Sequence, residues 1–275
     1  MTYKRVGTFY ICPTPIGNLE DTSSRIIETL KFVDLIYCED TRRAAKLTNS
    51  FSIDTPLKSF FLGNEFKKIE EINQHLFEGK NVALISDAGT PLISDPGSEL
   101  VSYLISKNHK IISIPGPSSV LTALTVSGFE TNEFQFLGFV PKSQKEKLDF
   151  LVKIFNSTMP TVCFTSPKRI KKDLDFFESQ GLDSEIVVCR ELTKKFETIY
   201  RGKASELKHY FESDVKGEIT IVIGPSSGDK KINFDLDEAI KILIKNSISK
   251  KDISKALSLV TDYSVNDLYN KIKDL

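Results

Sequence analysis

A mainly parallel α/β architecture is predicted by three observations in this 275-residue chain. Short apolar runs recur through the first 117 residues, and each is followed by a segment of helical spacing. The runs break into clusters of Gly, Pro, Ser and Asp, as strands do where they hand over to helices in an open sheet. The composition, 40% apolar and 27% charged, is that of an ordinary globular domain with a sizeable core.

Taken in order, the strands are expected at Thr8–Cys12, Asp34–Cys38, Leu57–Phe61, Asn81–Ser86 and Lys110–Pro115. Helices fill the intervals at Thr22–Phe32, Arg42–Asn49, Glu65–Glu78, Gly97–Lys107 and Ser118–Ser127. Ile69, Ile72, Leu76 and Phe77 give the third helix its apolar stripe, and Gly79 ends it. Near Gly138–Glu146 the pattern breaks, as FLGF gives way to VPKSQKEK. It restarts with Thr161–Thr165, a helix from Arg169 to Gln180, Glu185–Cys189, a run at Thr198–Arg201, a helix at Ser205–Glu212 and Glu218–Ile223. These later strands are close together and need not be parallel, so a mixed second sheet is expected. From Asp229 onward three short helices are expected, at Leu236–Asn246, Lys251–Val260 and within Asp262–Leu275, as a small appended module.

Composition excludes several classes. The formal net charge is zero, so any nucleic-acid binding must come from local patches. No apolar stretch approaches the roughly 18 residues of a membrane span, and the start MTYKRVGTFYICPTPIG lacks a signal-peptide pattern. A cytoplasmic location without membrane contact is therefore expected. Cys12, Cys38, Cys163 and Cys189 all sit in strand-like runs with no CxxC pair, which reads as buried thiols. His75, His109 and His209 lie away from every strand-end motif, so a Ser-His-Asp hydrolase has no support.

Chemistry concentrates at the strand ends. The turn CPTPIGNLEDTS (Cys12–Ser23) brings Gly17 to a point of close approach, with Asp21 or Thr22 as helix cap, yet it is neither GxxxxGK[ST] nor GxGxxG. In CEDTRR (Cys38–Arg43), Asp40 or Thr41 caps a helix, or Glu39, Asp40 and the arginines form a charged rim. The richest stretch is SDAGTPLISDPG (Ser86–Gly97), followed by IPGPSSV (Ile114–Val120). A plain turn rarely needs so many restricted residues in a row. Asp87 and Asp95 leave a divalent cation open, although no histidine or third carboxylate accompanies them at ligand spacing. Carboxylates also accept from an amine or a ribose hydroxyl, and the helix N-terminus at Ser118 suits a carboxylate. Amine, ribose and carboxylate are the polar handles of S-adenosylmethionine.

The strings PTPIGNLEDTSSR, VDLIYCEDTR, SDAGTPLISDPG, IPGPSSVLTAL and FLGFVPK, in this order, resemble the tetrapyrrole methylase superfamily, and within it the ribosomal RNA small subunit methyltransferase I branch. FTSPKRI, CRELTKKFETIYRG, KGEITIVI and the final helices extend the resemblance over nearly the whole chain. It implies a two-domain tetrapyrrole-methylase-like fold, with α/β domains at 1–117 and 118–228, a helical extension at 229–275, and S-adenosylmethionine in the cleft between the domains. It further implies a homodimer and 2′-O-methylation of a decoding-centre cytidine of 16S rRNA within the small ribosomal subunit. By position, Ile16, Gly17, Asp87, Gly89, Thr90, Ser94, Ser118 and Ser119 would contact the cofactor, joined by Phe164, Thr165, Leu192 and Glu218 of the second domain. Glu39, Asp40 and Arg42 would face the nucleotide, with the two carboxylates as candidates to take or orient the hydroxyl proton. No metal is implied. Lys142, Lys145 and Lys147 are candidate RNA-backbone contacts or a solvated lysine-rich loop.

Two departures from the family pattern concern histidine. FFLGNEF stands where an HEHNE-like run is usual, and Lys168 stands where the APHR-like segment has histidine, with Arg169 kept. Methylation of a tetrapyrrole and a non-catalytic RNA-binding assembly factor are the competing readings.

Overall fold

The computed structural model describes residues 6–61, 63–213, 215–226, 236–245, 248–258 and 263–273. The chain divides into two compact units, Met1–Ser226 and Ser227–Leu275. The first begins with strict alternation: β1 (Thr8–Ile11), α1 (Ser24–Phe32), β2 (Leu35–Cys38), α2 (Thr41–Ser50), β3 (Leu57–Ser59), α3 (Glu65–Phe77), β4 (Val82–Leu84), α4 (Ser98–Ser106), β5 (Lys110–Ser113) and α5 (Ser119–Ser127). The five strands pair in the order β3-β2-β4-β1-β5, every pairing parallel. The expected parallel sheet is therefore present. Its order sets β1 beside β4, which brings the PTPIG and SDAGTP loops together at the C-terminal ends of the strands.

Burial on both faces explains why the three central strands β2, β4 and β1 are almost wholly apolar, whereas the edge strands β3 and β5 carry Lys58, Ser59, Lys110 and Ser113. On one face Phe9, Tyr37, Val82 and Leu84 pack against Ile72 and Leu76 of α3 and Leu100 and Leu104 of α4. On the other, Ile36, Ala83 and Ile85 meet Ile26 and Leu30 of α1 and Ala44 of α2. Complete burial of a side chain such as Leu76 or Leu100 stabilises the fold by about 1.5–3 kcal/mol.

Helix starts follow local polar chemistry. Ser23, rather than Asp21 or Thr22, caps α1, its hydroxyl accepting from Ile26 N at 3.3 Å. The displacement arises because Leu19–Asp21 forms a separate 3-10 turn with its own cap, Asn18. At α2 the cap is Asp40.

A second five-stranded sheet completes the unit. It consists of β6 (Gln135–Phe139), β7 (Thr161–Thr165), β8 (Ile186–Arg190), β9 (Thr198–Gly202) and β10 (Ile219–Ile223), in the order β6-β7-β10-β8-β9. Only β6–β7 is parallel, so the sheet is mixed. Helices α6 (Gln144–Phe155), α7 (Ile170–Ser179) and the single turn α8 (Ala204–Leu207) cover one face. Helix α5 covers the other, with Val120, Ala123 and Leu124 against Val162, Val187 and Val222.

Strand β6 and helix α6 lie where the sequence suggested only a boundary. A register slip between Phe136 and Phe139 hides the alternation of β6. A readable signal for α6 was present in the S-x-x-E spacing: Ser143 caps the helix by accepting from Glu146 N, and its hydroxyl donates to the Glu146 carboxylate.

The second unit contains α9 (Leu236–Lys245), α10 (Lys250–Ser258) and α11 (Val265–Lys273). Ile240, Ile253, Leu257, Leu268 and Ile272 form its core. The helix ends anticipated at Asn246, Val260, Asp262 and Leu275, and the boundary at 228/229, lie outside the described residues. No helix among the described residues is long and apolar enough to cross a membrane.

Candidate active site

The loops leaving β1 and β4 are tied together by main-chain bonds. Thr14 N donates to Gly89 O at 2.8 Å and Gly89 N returns a bond to Thr14 O at 3.0 Å. The Thr14 hydroxyl donates to Ser86 O, and the Ser86 hydroxyl donates to Gly89 O. Thr90 adds the loop after β5 through a 3.0 Å bond to Pro117 O. Gly89 makes this possible with φ +83°, a conformation costly for a side-chain-bearing residue, and a Cβ there would press on Ile16 Cγ2 at 3.4 Å. Beyond Pro117, Ser118 caps α5, leaving other N–H groups of its first turn open to an anion.

These loops form one side of a cavity of about 430 Å3. Of the twelve anticipated cofactor residues, eleven line it: Ile16, Asp87, Gly89, Thr90, Ser94, Ser118 and Ser119 from the first half and linker, Phe164, Thr165, Leu192 and Glu218 from the second. Gly17 is the exception. It opens on an adjoining groove of about 270 Å3, lined by Thr14, Pro15, Leu19, Lys46, Leu47 and Ser50, with Asp87 shared between the two spaces. The absence of a side chain at Gly17 serves packing, because a Cβ would collide with the Lys194 side chain. Lys194 itself is held by Glu191 (2.8 Å) and Glu218 (3.0 Å). Gly17 is thus the seat for a strap reaching over from the second half.

Charge in the cavity is predominantly negative. Glu39, Asp87 and Asp95 all line it, and Arg43 pairs with Asp87 at 3.1 Å. Burial, reinforced by Glu39 and Asp87, pushes the Asp95 carboxyl up to about 6. Burial and the Asp87 charge also raise Glu39, with Arg43 opposing them. Glu39 is therefore the third carboxylate that spacing could not reveal. Among the described residues, however, no group of three or more metal-ligating side chains is assembled for an ion.

Of the CEDTRR residues, Glu39 and Arg43 line the cavity, whereas Asp40 and Arg42 do not. Asp40 is engaged twice by Arg42, at 3.1 and 2.8 Å, and accepts from its main-chain N–H. Those bonds hold its carboxyl at about 2. The Arg42 side chain is 88% exposed. Sequence reasoning chose Arg42 and passed over Arg43, because strand-end spacing does not say which of two successive helical residues turns inward.

Other candidates have structural roles. Asn64 accepts from Phe61 N and donates to Ser59 O within a turn. His109 is buried against Asn73, His75 lies among Lys58, Glu71 and Lys80, and His209 pairs with Glu212. All four cysteines are buried free thiols, and burial raises Cys12, Cys38 and Cys189 to about 12. Lys142 and Lys145 are exposed, but Lys147 is mostly covered and bonds Asp173 at 2.7 Å, which removes it from the RNA-facing set.

Residues 8–208 match the family model of the tetrapyrrole (corrin/porphyrin) methylases. The chain belongs to this family. Its relatives named ribosomal RNA small subunit methyltransferase I include one from Halalkalibacterium halodurans, 40% identical over 82% of this chain and 78% of the relative. A Streptococcus pyogenes relative is 36% identical over 99% of this chain and 96% of its own length. One from Thermotoga maritima is 43% identical over 79% and 98%. The fold is shared with a cobalt precorrin-4 methyltransferase of cobalamin biosynthesis (TM-score 0.59, 19% identity, 79% of this chain and 94% of that one). It is shared too with a uroporphyrin-III C-methyltransferase from Thermus thermophilus (TM-score 0.57, 15% identity, 81% and 96%). Two sheets with a cavity at the strand ends are therefore the frame of a methyltransferase family.

Proposed function

We propose that this methylase transfers a methyl group from S-adenosylmethionine to the 2′-hydroxyl of cytidine 1402 in the decoding centre of 16S rRNA, as a cytoplasmic homodimer acting on the small ribosomal subunit. The observation that carries the reading is the single cavity shared by the SDAGTP, PGPSS and FTSP segments, in a chain 36% identical to a small-subunit rRNA methyltransferase over 99% of its length.

The residues present fit the donor. Ile16, Val120, Phe164 and Leu192 supply apolar surface for a flat base. Asp87 and Glu218 are acceptors for ribose hydroxyls or an ammonium, and the start of α5 suits a carboxylate. When bound, S-adenosylmethionine supplies a methyl group already activated by its sulfonium. The protein's part is then to orient an in-line attack and exclude water.

A 2′-hydroxyl is a weak acid, so its proton needs an acceptor as the oxygen attacks. Glu39 is placed for this, inside the cavity with a raised affinity for protons. Asp40 is better placed to set the start of α2 and hold Arg42 at the rim. Lys46 lines the adjoining groove and brings there the kind of local positive charge that an RNA backbone requires of a chain with zero net charge.

Incubation with labelled S-adenosylmethionine and, separately, 30S subunits, naked 16S rRNA and a porphyrinogen tests the reading. Label is expected in the rRNA, at one ribose. Label in the porphyrinogen alone would overturn it in favour of tetrapyrrole methylation, and no label in any arm would favour a binding factor.

A further inference from the structure

Asp173 on α7 is fully buried, yet it lies outside the cavity lining. Three groups converge on its carboxylate. The Thr165 hydroxyl donates to Oδ2 at 2.6 Å, Lys147 Nζ donates to Oδ1 at 2.7 Å, and the Arg169 guanidinium reaches Oδ1 at 3.2 Å. Arg169 also donates to the carbonyl oxygens of Val140 and Pro141. Each partner belongs to a different piece of the second-half wall. Thr165 ends β7 and lines the cavity, Val140 and Pro141 directly follow the lining residue Phe139, and Lys147 sits on α6.

An ion cluster in a protein interior is a poor route to stability compared with apolar packing of the same volume, and a fixed geometry is what it supplies instead. We infer that Asp173 is a positioning residue for donor binding: through Thr165 it anchors the end of β7, and through Arg169 it fixes the chain after Phe139, so that these two stretches of the second-half wall keep one spacing around the ligand.

The inference rests on the cavity being the S-adenosylmethionine site. Calorimetric titration of the full chain with S-adenosylmethionine tests the two ideas separately. Absence of binding to the unmodified chain overturns the functional reading. Given binding, Thr165→Val is expected to weaken it about tenfold, seen as a rise in the donor KM larger than any fall in kcat, and to lower the melting temperature because the buried Asp173 carboxylate is left one donor short. Thr165→Ser, which keeps the hydroxyl, restores affinity to within about twofold. Asp173→Asn gives a comparable loss, and the double variant is no worse than Asp173→Asn alone, since both break one link. Should Asp173→Asn fail to fold, the Val and Ser variants at 165 decide alone. Unchanged affinity in Thr165→Val, or losses that multiply to about a hundredfold in the double variant, would overturn the inference.

Discussion

The two walls of the cavity are built to different rules. The first-half wall is pinned by main-chain and hydroxyl bonds among Thr14, Ser86, Gly89 and Thr90, close to the strands they follow. Side-chain charge holds the second-half wall, with Asp173 gathering Lys147 and Arg169, and Glu191 and Glu218 gathering Lys194. Main-chain pinning demands special residue types in short motifs, whereas an ion network accepts ordinary charged residues from distant elements. The first kind of wall therefore announces itself in sequence and the second does not. Backbone strain falls on both: Leu92 and Ser94 on one side, Glu191 and Thr193 on the other, have positive φ.

If chemistry belongs to the first wall, Glu39→Gln should produce the largest effect, a fall in kcat of about a hundredfold or more, in the range of a lost general base. Its donor affinity should be unchanged by calorimetry, and the acid limb of the wild-type rate profile should lie above the ordinary glutamate range. Retained turnover would move the chemistry elsewhere.

Next in size is Gly89→Ala. Forcing a Cβ into the left-handed region costs about 1–2 kcal/mol by denaturant titration, and the shifted loop should weaken donor binding about tenfold. Gly181→Ala, at φ +77° in the second half with open space around it, carries the same backbone cost and should leave binding alone. Equal binding losses in both would show that stability, rather than the pinned loop, controls affinity.

Lys194→Ala probes the strap from the second wall. A loss of a few-fold in donor affinity is expected with a modest drop in melting temperature, since the pair with Glu191 is mostly covered while Glu218 is largely exposed. A loss as large as that of Gly89→Ala would erase the proposed difference between the walls.

The last comparison concerns pH and stability rather than binding. The folded state raises Asp95 from 3.8 to about 6, so it holds that proton more tightly than the unfolded chain. The favourable contribution is complete below pH 3.8 and lost as pH rises through about 6. Asp95→Asn should accordingly raise the melting temperature at pH 7.5, with the gain shrinking as pH falls toward 4. A constant or inverted difference would refute the burial of Asp95 beside the charges of Glu39 and Asp87.

How much was legible follows from these same residues. The SDAGTP and PGPSS segments could be read as a ligand site because Gly, Pro and paired Ser at strand ends have few other uses. The proximity of Glu39 to Asp95 could not, since it needs β2 and β4 to be neighbours in the sheet. Nor could the choice of Arg43 over Arg42, which depends on the roughly 100° turn between successive helical residues and on where α2 points. Strand β6 was hidden by its register slip, and α6 was overlooked despite its Ser143 N-cap and S-x-x-E spacing.

By itself, the sequence determined the alternation of strands and helices, the parallel first sheet, the family and the positions of the loops that line the cavity. Those properties reside in periodicity and in local backbone preference, which each segment carries with it. Only the tertiary structure decided which carboxylates share the cavity, that Gly17 serves as a seat for Lys194, and that Asp173 stands behind Thr165. Such pairings depend on strand order and helix rotation, and charges acquire partners only after the chain has packed.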